Sequence, residues 1–236
     1  RQLKVILAVF FVSLSLYSYA NETDSLLRVL DMSIRNRPQY TLERQEQIDA
    51  LQRKLRLPHS DQERFDVYRE LFGKYRSYRM DSALWVANQR VELAKRMKNP
   101  LHIYSAELNV AEVMIGVAMY KEGLEILDGI KSSDLDASGI SYYYYQYHQV
   151  YTLMADYAFS DKMKDHYRSL AYQYKDSILN IRKPGSQGYL LMKSEKLLYE
   201  EKYDEAIKIL NSCYETHKQK GYSVAIPSIG LALSLI

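Results

Sequence analysis

The sequence predicts an all-α fold, an α-solenoid of stacked helix pairs, and three observations carry the prediction. A phrase recurs at nearly constant spacing: Tyr78-Arg79-Met80-Asp81-Ser82-Ala83-Leu84, then Tyr120-Lys121-Glu122-Gly123-Leu124, then Tyr203-Asp204-Glu205-Ala206-Ile207. Each sets a Tyr, polar residues, a tiny residue and an aliphatic at a helix start. Ala83 and Gly123 lie 40 residues apart and Ala206 follows 83 after Gly123, about two more units. Self-similarity at that period marks a helical repeat array. Glycine (9) and proline (5) are scarce in 236 residues, which favours long helices over a β-fold. Apolar residues recur at three- and four-residue steps, as amphipathic helices require. Stacked pairs build extended concave surfaces, so binding is the expected mode of action.

Taken in order, Arg1 and Lys4 precede an apolar run, Val5 to Leu16, broken only by serines. Ser18-Tyr19-Ala20 then supplies the small residues a signal peptidase reads, so 1–20 is expected to be a cleaved signal peptide. The run is shorter than the roughly 20 apolar residues of a membrane span. Residues 21–58 are expected to form an N-terminal helical cap or hairpin. One helix covers Thr23–Ile34, Asn36-Arg37-Pro38 interrupts, and a second covers Thr41–Leu57 with Leu42, Ile48, Leu51 and Leu55 as its stripe. Ser60 and Glu63 have the spacing of a capping box.

Residues 59–236 are read as the repeat array, about four helix pairs plus the first helix of a truncated fifth. The pairs are Asp61–Tyr75 with Asp81–Met97, Leu101–Val117 with Lys121–Ile130, Ile140–Tyr157 with Asp161–Leu179, and Gly188–Tyr199 with Tyr203–His217. Asn99-Pro100, the loop Lys131–Gly139 and Arg182-Lys183-Pro184-Gly185 separate them. A last apolar helix, Ser223–Ile236, has no partner, whereas repeat arrays finish with a polar cap. The chain is therefore expected to be a piece of a longer protein.

The residues exclude several chemistries. His59, His102, His148, His166 and His217 are never paired at the spacing that puts two imidazoles on one helical face, so no metal site is expected. No phosphate loop or nucleophile elbow occurs, so neither a cofactor nor an enzymatic activity is expected. Net charge is +3, or +1 without the leader's two cations, so direct nucleic-acid binding by this chain is not expected. Cys213, the lone cysteine, follows Ile207 and Leu210 on an apolar stripe and reads as a packing residue.

The binding surface is expected on the first helix of each pair. In the third pair Tyr145, His148, Thr152 and Asp156 share one stripe, distinct from the apolar stripe of Tyr147, Val150, Tyr151 and Met154. The matching stripes of the neighbouring helices present Arg69, Arg76, Glu112, Glu195 and Tyr199. Such a groove can hydrogen-bond an extended peptide or stack on a sugar ring, so the expected partner is a protein, a peptide or a glycan. Most of the 23 tyrosines are expected to pack between helices.

These residues resemble the tetratricopeptide repeat family. Tyr68, Leu71, Phe72, Tyr75 and Ala83 carry the likeness in the first pair. Val110, Ala111, Tyr120, Gly123 and Leu127 carry it in the second, and Leu197, Tyr203, Ala206, Ile207 and Leu210 in the fourth. The resemblance implies tetratricopeptide-like pairs wound in a right-handed superhelix. The period of about 40 exceeds that family's usual 34, and Met163 stands where the third pair should carry its tiny residue. A narrower pattern is similar to Bacteroides-type membrane-spanning tetratricopeptide regulators. It runs from Asp24-Ser25-Leu26-Leu27 through Leu30-Asp31, Asn36-Arg37 and Tyr40 to Arg64-Phe65, Leu71-Phe72 and Asp81-Ser82-Ala83-Leu84. That resemblance implies a periplasmic sensor tethered to the inner membrane by a downstream span, and a homodimer is compatible with it. The alternative is a free periplasmic scaffold assembling an envelope complex.

Overall fold

The structure is a computed structural model that describes residues 34–220 together with positions 28, 31, 32 and 231. The expected leader lies outside the described residues, as do most of Thr23–Ile34 and all but one position of Ser223–Ile236. The chain divides into two compact units, Arg1–Pro58 and His59–Ile236.

In the first unit, α1 spans Arg37–Leu55. The expected interruption at Asn36-Arg37-Pro38 is present, as a turn at Asn36 after helical residues 34 and 35, but the next helix resumes at Arg37 rather than Thr41: Asn36 is its N-cap and proline occupies the first turn. The missing N–H of proline is harmless there, because the first turn's N–H groups have no intrahelical acceptor. Within the expected stripe Ile48 is fully buried, whereas Leu42 is exposed.

The described part of the second unit contains eight α-helices, one 3-10 turn and no strand. They pair as α2 (Asp61–Tyr75) with α3 (Met80–Met97), α4 (Pro100–Gly116) with α5 (Tyr120–Gly129), α6 (Ala137–Asp156) with α7 (Asp161–Ile181), and α8 (Gln187–Tyr199) with α9 (Tyr203–Gln219). This is the all-α, tetratricopeptide-like solenoid the sequence predicts.

Local chemistry sets the helix starts. Every first helix of a pair has a side-chain cap that satisfies an otherwise orphaned N–H. Ser60 and Glu63 form a full capping box, with the Ser60 N–H donating to Glu63 Oε2 at 2.8 Å. Asn99 accepts from the His102 N–H at 3.2 Å, Asp136 from Gly139 at 2.7 Å and Ser186 from Tyr189 at 3.3 Å. The second helices that open on the recurring Tyr phrase, α3, α5 and α9, have no such cap. Before α5 and α9 the turn instead passes through a left-handed residue two positions ahead of the Tyr: Ala118 (φ 64°) and Glu201 (φ 57°).

The tiny residue of the phrase is explained by packing. Ala83 and Ala206 are fully buried. At Gly123 an added Cβ would lie 2.8 Å from Ile115 Cγ1, so α4 and α5 meet at a distance only glycine permits. In the third pair Met163 is exposed. The buried small residue of that helix is instead Ala171, whose carbonyl meets the His148 ring at 3.0 Å.

The core runs through the pairs. Leu108, Ala111, Ile115, Leu127, Ile130, Leu135, Tyr147 and Val150 form its central cluster, and Leu197, Ala206 and Leu210 a second one on which Leu231 packs. The tyrosines of α6 and α7 stack between those helices: Tyr147 on Tyr174 at 4.5 Å and 6°, Tyr151 on Tyr174 at 5.9 Å, Tyr151 on Tyr167 at 6.4 Å. Offset stacks of this kind add to apolar burial while the hydroxyls reach the helix edges. Cys213 is fully buried, and burial raises its thiol pKa.

Candidate functional site

Three adjoining pockets lie along α6, lined by residues of α4, α6, α7 and α8, by Met80 of α3, by the turn residues Arg76 and Ser77 and by Arg182 at the end of α7. One, of about 180 Å3, has Met80, Val113, Ile115, Gly116 and Leu153 with Arg76, Glu112, Tyr145, Gln146 and Gln149. A second, of about 580 Å3, shares Arg76, Glu112 and Tyr145 with it and adds Ser77, Ser138, Ser141, Tyr142 and Arg182. The third, of about 390 Å3, shares Gln149 with the first and extends over His148, Thr152, Asp156, Arg168, Tyr172, Lys175, Glu195 and Tyr199. The shared residues set the three side by side along α6.

A polar relay runs from the core to the groove wall. Arg90 of α3 is buried between the Phe65 ring, 4.3 Å from its guanidinium carbon, and the side-chain oxygen of Asn109, to which it donates. Asn109 Nδ2 donates to Tyr142 Oη at 3.2 Å, and Tyr142 Oη donates to Glu112 Oε2. Arg76 closes the chain on Glu112 Oε1 at 3.2 Å. Burial, followed by the nearby Arg69, lowers the Arg90 pKa to about 10; it still carries its charge near neutrality. Burial and then the Glu112 carboxylate push the Tyr142 hydroxyl well above its ordinary value, so it stays a donor. The relay fixes Glu112 and Arg76 in the wall from inside.

The third pocket has its own buried cation. Lys175 is 4% exposed and donates to Glu195 Oε2 at 3.0 Å, with its ammonium 5.3 Å from the centre of the Tyr172 ring. Tyr172 in turn stacks on Tyr199 at 3.9 Å. His148 is 6% exposed; burial first and the Lys175 charge second lower its pKa to about 4, so the ring is neutral and is held by the Ala171 carbonyl. A neutral ring facing a carbonyl donates from Nδ1. Thr152 donates to the His148 carbonyl of its own helix at 2.8 Å.

Of the nine residues predicted to face a ligand, eight line these pockets: Arg76, Glu112, Tyr145, His148, Thr152, Asp156, Glu195 and Tyr199. Arg69 lies elsewhere, exposed and paired with Asp66 of its own helix at 3.4 Å. It sits two turns before Arg76, and 64% of its side chain is exposed. Sequence reasoning missed Gln146, Gln149, Arg168, Tyr172, Lys175 and Arg182. Lys175 was findable: with Ala171 and Ile178 it recurs at steps of four and three, which puts a lysine on a buried face where it needs a partner. Arg90, between Ala87 and Ala94, carries the same signal.

Among the described residues no group of His, Cys, Asp and Glu is arranged to hold a metal ion, and no helix is long and apolar enough to cross a membrane. A family model described as the SusR N-terminal TPR domain matches residues 34–235. No curated protein matches the chain.

Proposed function

The chain belongs to the family of SusR N-terminal TPR domains, and from that premise we propose that it is the periplasmic sensory part of a membrane-bound regulator and that its groove takes an extended segment of a partner protein. Tetratricopeptide repeat domains mediate protein–protein interaction, using the surface their stacked helices create. The observation that carries the reading is the row of three adjoining pockets along α6. Apolar floor residues such as Val113 and Leu153 lie beside hydrogen-bonding groups from Arg76, Tyr145 and Gln149. A peptide in extended form needs that alternation, since its side chains and backbone amides fall on different sides of the strand. The buried relay behind Glu112 and Arg76 holds the wall rigid, which lowers the ordering cost of binding.

Binding of fluorescein-labelled random-sequence peptides tests the groove. The chain is expected to retain the pool, and Arg76→Ala with Tyr145→Ala is expected to weaken retention while leaving the helical circular dichroism unchanged. Equal retention by the variant removes the groove from the account. Cell fractionation of the native protein tests the sensor: detergent-dependent release supports a membrane-bound regulator, and release with the soluble periplasm supports a scaffold instead.

A further inference from the structure

We infer that the largest of the three pockets takes a carboxylate, supplied by an acidic side chain of the bound segment; this rests on the peptide-groove reading. Charge singles the pocket out. The smallest pocket holds Arg76 with Glu112, one charge of each sign. The third sets Arg168 and Lys175 against Asp156 and Glu195, and its His148 ring is neutral. The largest holds two guanidinium groups, Arg76 and Arg182, against the single carboxylate of Glu112. It alone is left with an uncompensated positive charge.

The hydrogen bonds are lopsided in the same sense. Both oxygens of Glu112 are engaged, Oε1 by Arg76 at 3.2 Å and Oε2 by the Tyr142 hydroxyl, so the pocket's one anionic acceptor is spent. Its donors are not. Ser141 Oγ accepts from Arg182 Nε at 3.2 Å, and Tyr145 Oη accepts from Gln149 Nε2 at 2.8 Å. Each of these hydroxyls still carries its own hydrogen, for which there is no acceptor among the described residues. Burial first and the Glu195 charge second raise the Tyr145 pKa, so that residue keeps its proton and remains a donor.

Arg182 is held in place before anything binds. Beyond its Nε bond to Ser141, a terminal nitrogen donates to the Gly188 carbonyl at 3.0 Å. A Cβ at Gly188 would stand 2.8 Å from that nitrogen, so glycine is what lets the guanidinium lie there. The other N–H groups of the guanidinium are unengaged among the described residues, and no carboxylate there pairs with it. A guanidinium already fixed at one edge loses little freedom on binding, and its charge-assisted hydrogen bonds to a carboxylate are strong. One carboxylate balances the pocket. A neutral hydroxyl would use the donors but leave the charge uncompensated, and a phosphate monoester, at about −2, would overshoot it.

The test uses two pools of biotinylated peptides with amidated C-termini, random except at the centre and without Asp or Glu elsewhere. The central residue is Glu in one pool and Gln in the other. The Glu pool is expected to bind about threefold more tightly, from a partly exposed ion pair. Arg182→Gln is expected to bring the Glu pool down to the Gln pool and to leave the Gln pool where it was. Gly188→Ala keeps the cation and crowds only the far end of the Arg182 side chain, and it is expected to shrink the glutamate preference as well. If the wild type binds both pools equally, the groove reading stands and this inference is overturned. If Arg182→Gln weakens both pools alike and keeps their ratio, Arg182 only ties α6 to α8 through Ser141 and Gly188, and the inference is again overturned. If neither pool binds, or if an oligosaccharide mixture, neutral or uronic, binds in their place, the groove reading and this inference both fall.

Discussion

His148 is expected to make this domain less stable in acid. The ring is 6% exposed and neutral, held by the Ala171 carbonyl at 3.0 Å, with the Lys175 ammonium and the Glu195 carboxylate as its charged neighbours. Burial and Lys175 lower its pKa from 6.5 to about 4. The unfolded chain therefore takes up the proton near 6.5 and the folded chain only near 4. The stabilisation is complete above about pH 6.5 and is lost progressively as pH falls towards 4. Integrated over that window, the linkage amounts to about 3 kcal/mol. His148→Asn is the control, because its amide nitrogen takes the place of Nδ1 and can still donate to Ala171, yet it does not titrate. Urea unfolding of both proteins between about pH 7 and pH 4 isolates the histidine, since the carboxylates contribute to both curves. The wild type is expected to lose about 3 kcal/mol more than the variant across the window. Parallel curves would show that His148 protonates freely in the folded state, and the buried placement of the ring would be wrong.

Three other perturbations test the packing and the relay. Tyr142→Phe leaves Asn109 Nδ2 and Glu112 Oε2 without the shared hydroxyl, and a loss of about 1–3 kcal/mol in urea unfolding is expected; an unchanged midpoint would mean that water replaces it. Glu195→Gln removes the carboxylate from the buried Lys175 ammonium and is expected to lower stability by about 2 kcal/mol, less than for a wholly buried pair because Glu195 is half exposed; an unchanged melting temperature refutes the burial of Lys175. Gly123→Leu drives a side chain into Ile115 and is expected to destabilise by about 3 kcal/mol, whereas the same substitution at the open Gly73 is expected to be tolerated.

The helices were legible because their signals are local. Caps such as Ser60 with Glu63, the break at Asn99-Pro100 and the recurring Tyr phrase fix the elements to within a few residues, and amphipathic spacing fixes which face is buried. The break at Asn36 was legible, but the second helix starts at Arg37 rather than Thr41, because a proline that ends one helix can sit in the first turn of the next. That Met163 is exposed while Ala171 is the buried small residue of α7 was not legible, since it depends on how α6 and α7 settle around their tyrosines. In the site, the stripe Tyr145, His148, Thr152 and Asp156 follows from helical spacing alone, as do its counterparts on α4 and α8. What spacing cannot show is which member of a stripe is spoken for. His148 shares the stripe with Tyr145 but turns its Nδ1 to Ala171, and Arg182 reaches the groove from beyond the end of α7, where no periodicity applies.

The central claim, that the groove along α6 is where this domain binds, is tested most directly by site-specific photo-crosslinking. A photoreactive residue at Gln149, which joins two of the pockets, is compared with one at Lys121, fully outward on α5, in the presence of biotinylated random-sequence peptides. The account predicts biotin transfer at Gln149 and none above background at Lys121. Transfer at Lys121 with none at Gln149 would contradict it.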